Sequence, residues 1–392
     1  MVKKSSSYRW AVLFAAFYTF VVFAFVFQLV PPLIESMTLA FNLRSSEEWL
    51  TGLLMSIVVI PGIFLALPAG RLMDKYGFKL IGLASTILIV AGCFITSVAD
   101  SFLMALLGRF VLGVGASFII TGVPSLIPQW FSQKDLGKAM GIYATNMPVA
   151  TIAAFLTASV LRVTYGWRYP FYVGTIVAAL SVILFALIVK EGPLKRIEEP
   201  KQKPKVKSAL TNFEIWKVGL VWSFFNATAI AFLTWAPTMF QRFRDFDPVS
   251  ASLLASVIMI ASIPSVPFFG WASDKTRRRK PFMIAGSFLM GLALIASGFS
   301  WGFSLLLSVI VLGITDSMVP PLVMTMPSEI LNPCSVGIGF GILTMCQNIG
   351  ITLGSPLAGY LLISTGSMEL TSMGIAMFAL LGSLVACTLK TR

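Results

Sequence analysis

The chain has 392 residues, of which 57% are hydrophobic and only 11% charged. Because about 25% of a soluble domain is charged, this composition excludes a soluble globular protein. The formal net charge is +13 with no His, but the basic residues are confined to short segments between apolar runs, which excludes a nucleic-acid-binding protein. The four Cys are widely spaced and form no metal-binding or disulfide pattern.

Apolar runs long enough to cross a bilayer as helices recur along the chain. They predict an all-α integral membrane protein with twelve transmembrane helices in two pseudo-symmetric six-helix bundles. The predicted spans are residues 8–30, 49–73, 78–98, 101–127, 137–161, 168–189, 215–239, 249–272, 281–299, 302–327, 335–363 and 368–389. We predict domains at 1–189 and 215–392, connected by a basic, proline-containing linker at 190–214.

The distribution of Lys and Arg predicts the orientation of these spans. With the N-terminus inside, 23 Lys and Arg fall in inside segments and 5 fall outside. Because cytoplasmic loops carry the excess of basic residues, we predict a multi-pass protein of the plasma (cell) membrane with both termini in the cytoplasm.

A ten-residue segment after the second predicted span recurs in the second half of the chain. Gly70–Lys79 shares the spacing Gly-x-x-x-Asp-Lys with Gly270–Arg279, and the same offset of 200 residues aligns Gly166 with Gly366. Such similarity indicates that one unit was duplicated. In a membrane chain it predicts a transporter whose halves rock around a site near the middle of the bilayer.

The repeated segment resembles the inner-loop signature of the major facilitator superfamily, Gly-x-Leu-x-Asp-Arg-x-Gly-x-Lys/Arg, with Lys75 where Arg is usual. A second signature of that family, Arg-x-x-x-Gly-x-Gly-Ala, resembles Arg109–Ala116. The resemblance covers the whole chain and implies twelve spans, six plus six, with a gate on the inner side. The gating residues it implies are Gly70, Asp74, Lys75, Gly77, Lys79, Gly270, Asp274 and Arg279.

Arg109 lies well inside predicted span 4. A charged side chain at that depth costs at least about 2.5 kcal/mol on insertion scales and normally faces a wet cavity or a partner. We expect Arg109 to bind a substrate anion or to take part in proton coupling. The alternative is that it reaches the outer surface or pairs with a helix end.

Asp316 is the only carboxylate well inside a predicted span, and the repeat places it at the position of Ala116. That position is two helical turns from Arg109, so both sites share a helix face at depths about 10 Å apart. Because the chain has no His, Asp316 is the best candidate for a proton site. The alternative is a structural hydrogen bond to Thr315, Ser317 or a helix terminus.

Other polar residues inside the predicted spans are candidate substrate contacts. The resemblance implies that spans 1, 4, 7 and 10 line the cavity, with spans 2, 5, 8 and 11 beside them. The candidates are Tyr18, Gln28, Asn146, Asn226, Gln347 and Asn348. Hydrogen bonding between helices explains any single one of them equally well. Glu35, near the outer end of span 1, is expected to have an ordinary role at the rim.

The preferred interpretation is a proton-coupled symporter of a small organic anion such as a monocarboxylate. A proton-driven exporter of drugs or metabolites and a carrier of zwitterionic amino acids or peptides stay open. A non-transporting sensor or an enzyme is remote, because no nucleophile–base pair is recognisable. No cofactor beyond a proton gradient is expected, and a monomer suffices. The nitrate branch of the family typically has one Arg in the middle of span 2 and another in span 8, whereas here span 2 has none before Arg71 and span 8 has none.

Overall fold

The computed structural model describes residues 2–190, 192, 209–276, 278–332 and 335–390, and twelve helical spans in these ranges are long and apolar enough to cross a membrane. In chain order, spans 1–12 are Tyr8–Ala40, Ser45–Ala66, Phe78–Ser97, Phe102–Gln129, Asp135–Tyr165, Arg168–Ile188, Phe213–Arg244, Pro248–Thr276, Lys280–Phe299, Gly302–Ile330, Val336–Thr365 and Met368–Cys387. The predicted all-α fold class is confirmed. The predicted linker at 190–214 lies largely outside the described residues.

Several spans contain more than one helix. In the first half the α-helices are Val2–Phe27, Ile34–Ala40, Leu53–Tyr76, Phe78–Ser97, Phe102–Leu126, Gln133–Tyr143, Asn146–Tyr165 and Arg168–Ile188. In the second half they are Phe213–Arg244, Pro248–Thr276, Lys280–Phe299, Gly302–Asp316, Pro320–Ile330, Val336–Thr365 and Met368–Cys387. Short 3-10 turns at Pro31–Leu33, Ser45–Gly52 and Ile127–Gln129 complete spans 1, 2 and 4.

Spans 1 and 10 are broken where two prolines follow one another. Their first helices end at Phe27 and Asp316, four residues before Pro31–Pro32 and Pro320–Pro321 respectively. Proline has no N–H to donate back along the helix, so each pair leaves two consecutive carbonyls without a helical N–H donor. A single proline is accommodated, as at Pro237 inside span 7. Hydropathy alone predicts both spans as continuous helices.

The offset of 200 residues is visible in the bounds of the helices. The equivalent ends are Tyr76 and Thr276, Phe102 and Gly302, Tyr165 and Thr365, and Arg168 and Met368. The two halves of the chain are therefore built on one six-helix plan, as the sequence repeat predicts.

The two ends of the molecule differ in how closely the halves approach. We call the end that holds Tyr76–Phe78 and Thr276–Lys280 the terminal face, and the end that holds Ser97–Phe102 and Phe299–Gly302 the far face. Between the halves, span 2 packs against span 11 and span 5 against span 8, and the turn at Pro31–Leu33 packs against span 7.

Contacts between the halves are dense at and beneath the far face. The Ser56 hydroxyl donates to the Thr352 carbonyl over 2.8 Å, and the rings of Trp49 and Tyr360 meet edge to face at 6.4 Å. On the terminal face, by contrast, the helix Pro320–Ile330 packs against spans 7, 8, 9 and 11 of its own half. This conformation is therefore closed at the far face.

Candidate functional site

Arg109 lies inside the first half, with its side chain fully buried (0% exposed). Its Nη1 donates to the carbonyl of Val26 over 2.8 Å, its Nη2 to that of Phe27 over 2.8 Å, and its Nε to that of Leu54 over 2.9 Å. Phe27 ends the first helix of span 1, and Pro31 cannot satisfy its carbonyl. A cation at the negative end of a helix is favourable, so Arg109 joins span 4 to spans 1 and 2.

These contacts match the helix-end alternative for Arg109 that the sequence left open. In this conformation all three guanidinium nitrogens bind backbone carbonyls, and no carboxylate in the described part of the chain forms an ion pair with Arg109. Because the side chain is fully buried, an anion has no access to the guanidinium in this conformation.

Asp316 is buried (9% exposed) at the last residue of the first helix of span 10. Among the described residues its carboxylate has no hydrogen-bond or ion-pair partner. The predicted structural partners are used elsewhere, since the Thr315 hydroxyl donates to Val311 and Leu312 and the Ser317 hydroxyl donates to Gly313. A buried carboxylate without a donor or a cation is costly to keep charged, so Asp316 is well suited to carry a proton.

The predicted relation between Arg109 and Asp316 agrees with their burial. Val309 occupies the position of Arg109 in the second half and is 0% exposed, while Ala116 occupies that of Asp316 and is 1% exposed. All four positions therefore lie on buried helix faces. The offset of 200 residues therefore relates the two residues in helix face and in depth.

Spans 7 and 11 bring an indole and three amides into one region, which we call the Trp222 group: Trp222, Phe225, Asn226, Gln347 and Asn348. The indole Nε1 of Trp222 donates to the Oε1 of Gln347 over 3.3 Å, and the Nδ2 of Asn226 donates to the Trp222 carbonyl over 2.8 Å. The rings of Trp222 and Phe225 stack at 5.1 Å. Trp222 was not among the residues predicted from the sequence; its position one turn before Asn226 is the signal that marks it.

Asn348 is the member of the Trp222 group that meets the first half. A Cβ atom at Gly62 in span 2 would lie 2.3 Å from the Nδ2 of Asn348 and 3.4 Å from the Oγ of Ser117 in span 4. The amide thus occupies the space that a side chain at Gly62 would fill. The structure places a predicted candidate at the boundary between the halves, where a substrate could contact both.

The remaining candidates in the first half contact other spans of that half. The Tyr18 hydroxyl donates to the Val177 carbonyl over 3.2 Å and so ties span 1 to span 6. The Nε2 of Gln28 donates to the Oγ1 of Thr151 over 3.3 Å, and its buried Oε1 has no partner within the described ranges. Asn146 is 5% exposed at the start of its helix in span 5.

The gating residues implied by the family signature make contacts within their own half. Asp274 and Arg279 form an ion pair at 3.0 Å, and Arg279 also contacts Glu329 at 2.5 Å.

In the first of the two repeated segments, the ammonium of Lys75 lies 5.0 Å from the ring centre of Tyr76. Gly77 turns the chain between spans 2 and 3 with a φ of 87°. Lys79 is exposed, and Gly270 lies beside Pro321. Gly70 and Asp74 lie outside the residues whose side chains are described.

Four charged residues at the far face form what we call the far-face cluster: Glu35, Glu48, Arg162 and Arg242. Arg242 contacts Glu35 at 3.2 Å and Glu48 at 2.6 Å, and Arg162 contacts Glu35 at 2.9 Å. Glu35, which the sequence analysis assigned to the rim, thus bridges span 1 of one half to span 7 of the other. The pairing was not predicted because the two partners in each ion pair are more than a hundred residues apart in the sequence.

Comparison with known proteins identifies the family. A family model described as "Major Facilitator Superfamily" matches residues 12–263 and 243–392. The "Nitrite extrusion protein" of Bacillus subtilis is 27% identical over 69% of this chain and 67% of its own. The "Probable nitrate transporter NarT" of Staphylococcus carnosus is 26% identical over 91% and 90%. The "Lysosomal dipeptide transporter MFSD1" of Danio rerio is 24% identical over 81% and 73%.

A solved structure shows the same fold. The crystal structure of a D-xylose-proton symporter matches 98% of this chain and 99% of its own with a TM-score of 0.81, at 16% sequence identity.

Proposed function

The chain belongs to the major facilitator superfamily of secondary transporters, and from this we propose that it carries a small organic anion together with a proton, with Asp316 as the proton site. The observation that carries the proposal is the burial of Asp316 without a partner among the described residues. We place the protein in the plasma membrane with the terminal face in the cytoplasm, on the strength of the asymmetry in Lys and Arg.

An unpaired carboxylate couples the binding of a proton to that of an anion. While Asp316 is charged, it repels an anion in the same low-dielectric site. A proton on Asp316 removes that repulsion, so each ligand raises the affinity for the other. Coupling of this sign moves both ligands in the same direction, which is symport.

The proposed contacts for the anion are neutral N–H donors. The amide nitrogens of Asn146, Gln347 and Asn348 donate to no acceptor within the described ranges, so they are free to bind an oxyanion. Arg109, the original candidate, is held by three carbonyls. Relatives named for nitrate or nitrite transport support anion transport. The absence of Arg from the apolar parts of spans 2 and 8 favours an organic mono-anion over nitrate.

A zwitterion such as an amino acid or dipeptide is the second candidate. The unpaired carboxylate of Asp316 is also a partner for an ammonium group, and a relative covering 81% of this chain is named as a dipeptide transporter. Under this alternative Asp316 contacts the substrate itself, so its removal abolishes binding rather than only the coupling to protons.

Transport by this fold requires closure of each face in turn. With the far face closed here, we propose that the segments Gly70–Lys79 and Gly270–Arg279 close the terminal face in the other state. In this conformation Asp274 pairs with Arg279 inside the second of these segments. This supports the proposal that the segment has different contacts when the terminal face is closed.

Proton movement in proteoliposomes tests the proposal. We would add acetate, lactate, nitrate, glycine, a dipeptide and a cationic dye separately, and record external pH for wild type, Asp316→Asn and the control Asp245→Asn. Asp245 lies in the far-face loop with a φ of 55°, a conformation that Asn readily adopts.

Alkalinisation outside with the carboxylates, lost in Asp316→Asn and kept in Asp245→Asn, is the expected result. Alkalinisation with the dipeptide, together with loss of dipeptide binding in Asp316→Asn, would favour the zwitterion. A response to the dye alone would identify an exporter. Substrate flux without any pH change would contradict proton coupling.

A further inference from the structure

Two ion pairs of the far-face cluster, both made by Arg242, join the two halves across the closed face. Glu35 and Glu48 belong to spans 1 and 2, and Arg242 to the end of span 7. The Nη2 of Arg242 lies 2.6 Å from Glu48, whose side chain is 4% exposed, and its Nε lies 3.2 Å from Glu35. A buried carboxylate depends on its cation more strongly than an exposed one, so the Glu48 pair carries most of the energy.

The cluster divides unequally between the halves. Arg162 is in span 5 of the first half, where it contacts Glu35 at 2.9 Å and donates to the Pro32 carbonyl over 2.8 Å. When the far face opens, Arg162 keeps Glu35 and Pro32 because they move with it, and it loses only the 3.4 Å hydrogen bond that its Nη1 donates to the Oε1 of Gln241 in span 7. Arg242 loses both Glu35 and Glu48, because both carboxylates belong to the other half.

We propose that the far-face cluster holds this face closed and that Arg242 changes partners on opening, becoming the cation that meets an anionic substrate at the mouth of the transport path. The second part rests on the proposed function. An anion that binds Arg242 competes with Glu35 and Glu48 for it. Such an anion binds the open state more tightly than the closed state, and it therefore stabilises the open state.

The same face offers a matched control in Arg168. It pairs with Asp100 at 2.7 Å and donates to the Ala99 carbonyl, and all three residues belong to the first half. Asp100 is 89% exposed, so this pair neither joins the halves nor depends on burial. Removing it changes the charge of the far face as much as removing Arg242 does, without breaking a contact between halves.

Ser56 provides a reporter of opening. It is 1% exposed between spans 2 and 11, about 14 Å deeper than Glu48 at the rises of a 3-10 turn and an α-helix. We would introduce Ser56→Cys after replacing Cys93, Cys334, Cys346 and Cys387 by Ser, and measure the rate of maleimide labelling in lipid nanodiscs. The proteins are wild type, Arg242→Gln, Arg242→Lys, Glu48→Gln and Arg168→Gln, each measured alone and with lactate, nitrate or a dipeptide.

Arg242→Gln and Glu48→Gln should raise the labelling rate about tenfold, the equivalent of 1.4 kcal/mol, with Arg168→Gln unchanged and Arg242→Lys close to wild type. Equal rates in Arg242→Gln and Arg168→Gln would overturn the closing role. Lactate or nitrate should raise labelling in wild type and Arg242→Lys and should have no effect in Arg242→Gln.

If lactate or nitrate still raises the labelling rate in Arg242→Gln, the proposal that Arg242 exchanges its carboxylate partners for the anion is overturned. If neither lactate nor nitrate acts even on wild type while a dipeptide does, the anion function fails and with it the role of Arg242 toward anions. The closing role would still be decided by the ligand-free rates.

Discussion

Gly113 and Gly313, separated by 200 residues, make the same contact in the two halves. A Cβ atom at Gly113 would lie 2.2 Å from the carbonyl oxygen of Val58, and one at Gly313 would lie 2.4 Å from that of Ile258. Both are backbone atoms, which cannot rotate away. The repeat thus fixes the close approach of span 4 to span 2 and of span 10 to span 8.

Substitution of either glycine should therefore destabilise the fold to a similar extent. We expect Gly113→Ala and Gly313→Ala each to cost about 1–3 kcal/mol, the usual penalty for overpacking. Gly141→Ala is the control, because a Cβ there meets nothing within 4 Å. Thermal unfolding of the purified protein measures the effect. A Gly141→Ala protein as unstable as the other two would refute the contact argument.

The glycines that end spans 5 and 11 are equivalent in the repeat but differ in backbone conformation. Gly166 has φ 98° and ψ 173°, a region nearly restricted to glycine, whereas Gly366 has φ 59° and ψ 22°, in the left-handed helical region. Neither site is crowded. Gly166→Ala should cost about 1–3 kcal/mol and Gly366→Ala about 1 kcal/mol, as measured by the same unfolding assay. A larger loss of stability in Gly366→Ala than in Gly166→Ala would contradict this argument from backbone conformation.

Arg109 should behave as a structural residue. Arg109→Lys keeps the charge but loses the planar arrangement of donors that reaches Val26, Phe27 and Leu54. We expect both Arg109→Lys and Arg109→Gln to lower stability by about 3 kcal/mol or more, since each hydrogen bond to a charged group contributes about 1.5–3 kcal/mol. Size-exclusion profiles and thermal unfolding provide the measurement. A stable Arg109→Lys protein with only a raised KM would restore the substrate-binding interpretation.

The space at Gly62 should control closure between spans 2 and 11. Gly62→Ala would place a Cβ atom 2.3 Å from the Nδ2 of Asn348. The Asn348 amide would have to move at the boundary between spans 2 and 11, so we expect Ser56→Cys labelling to rise about threefold, the equivalent of about 0.65 kcal/mol. Adding Asn348→Ala should return labelling to the starting rate because it removes the clashing atoms. Gly337→Ala is the control, because Gly337 lies in span 11 like Asn348 and a Cβ atom there meets nothing within 4 Å. Unchanged labelling in Gly62→Ala would disprove this role.

The sequence predicted those features of the fold that depend on local composition and on the 200-residue repeat. The spans follow from runs of apolar residues, and the equivalence of Gly166 with Gly366 follows from the offset. The depth of Arg109 and the burial of Asp316 were also predicted, because residue number along a helix gives both its depth and its face.

The partners of these residues could not be predicted in the same way. Which groups Arg109 contacts depends on how spans 1 and 2 lie beside span 4, and no pattern within span 4 encodes that arrangement. The same holds for Arg242, whose carboxylate partners come from the other half of the chain. Trp222 was overlooked because an indole in an apolar span resembles ordinary packing until its N–H is seen to meet Gln347.

The hydrogen bonds of Arg109 also bear on how this molecule deforms. The side chain of Arg109, in span 4, is hydrogen-bonded to the backbones of spans 1 and 2. Spans 1, 2 and 4 should therefore move as one rigid unit when the protein changes conformation. Among the described residues, no side chain makes such a set of hydrogen bonds across the breaks in spans 5 and 10, at residues 144–145 and 317–319. Most of the bending in the cycle should therefore fall on their short terminal-face segments, Gln133–Tyr143 and Pro320–Ile330, and the cost of the transition should depend on how easily those two segments pivot.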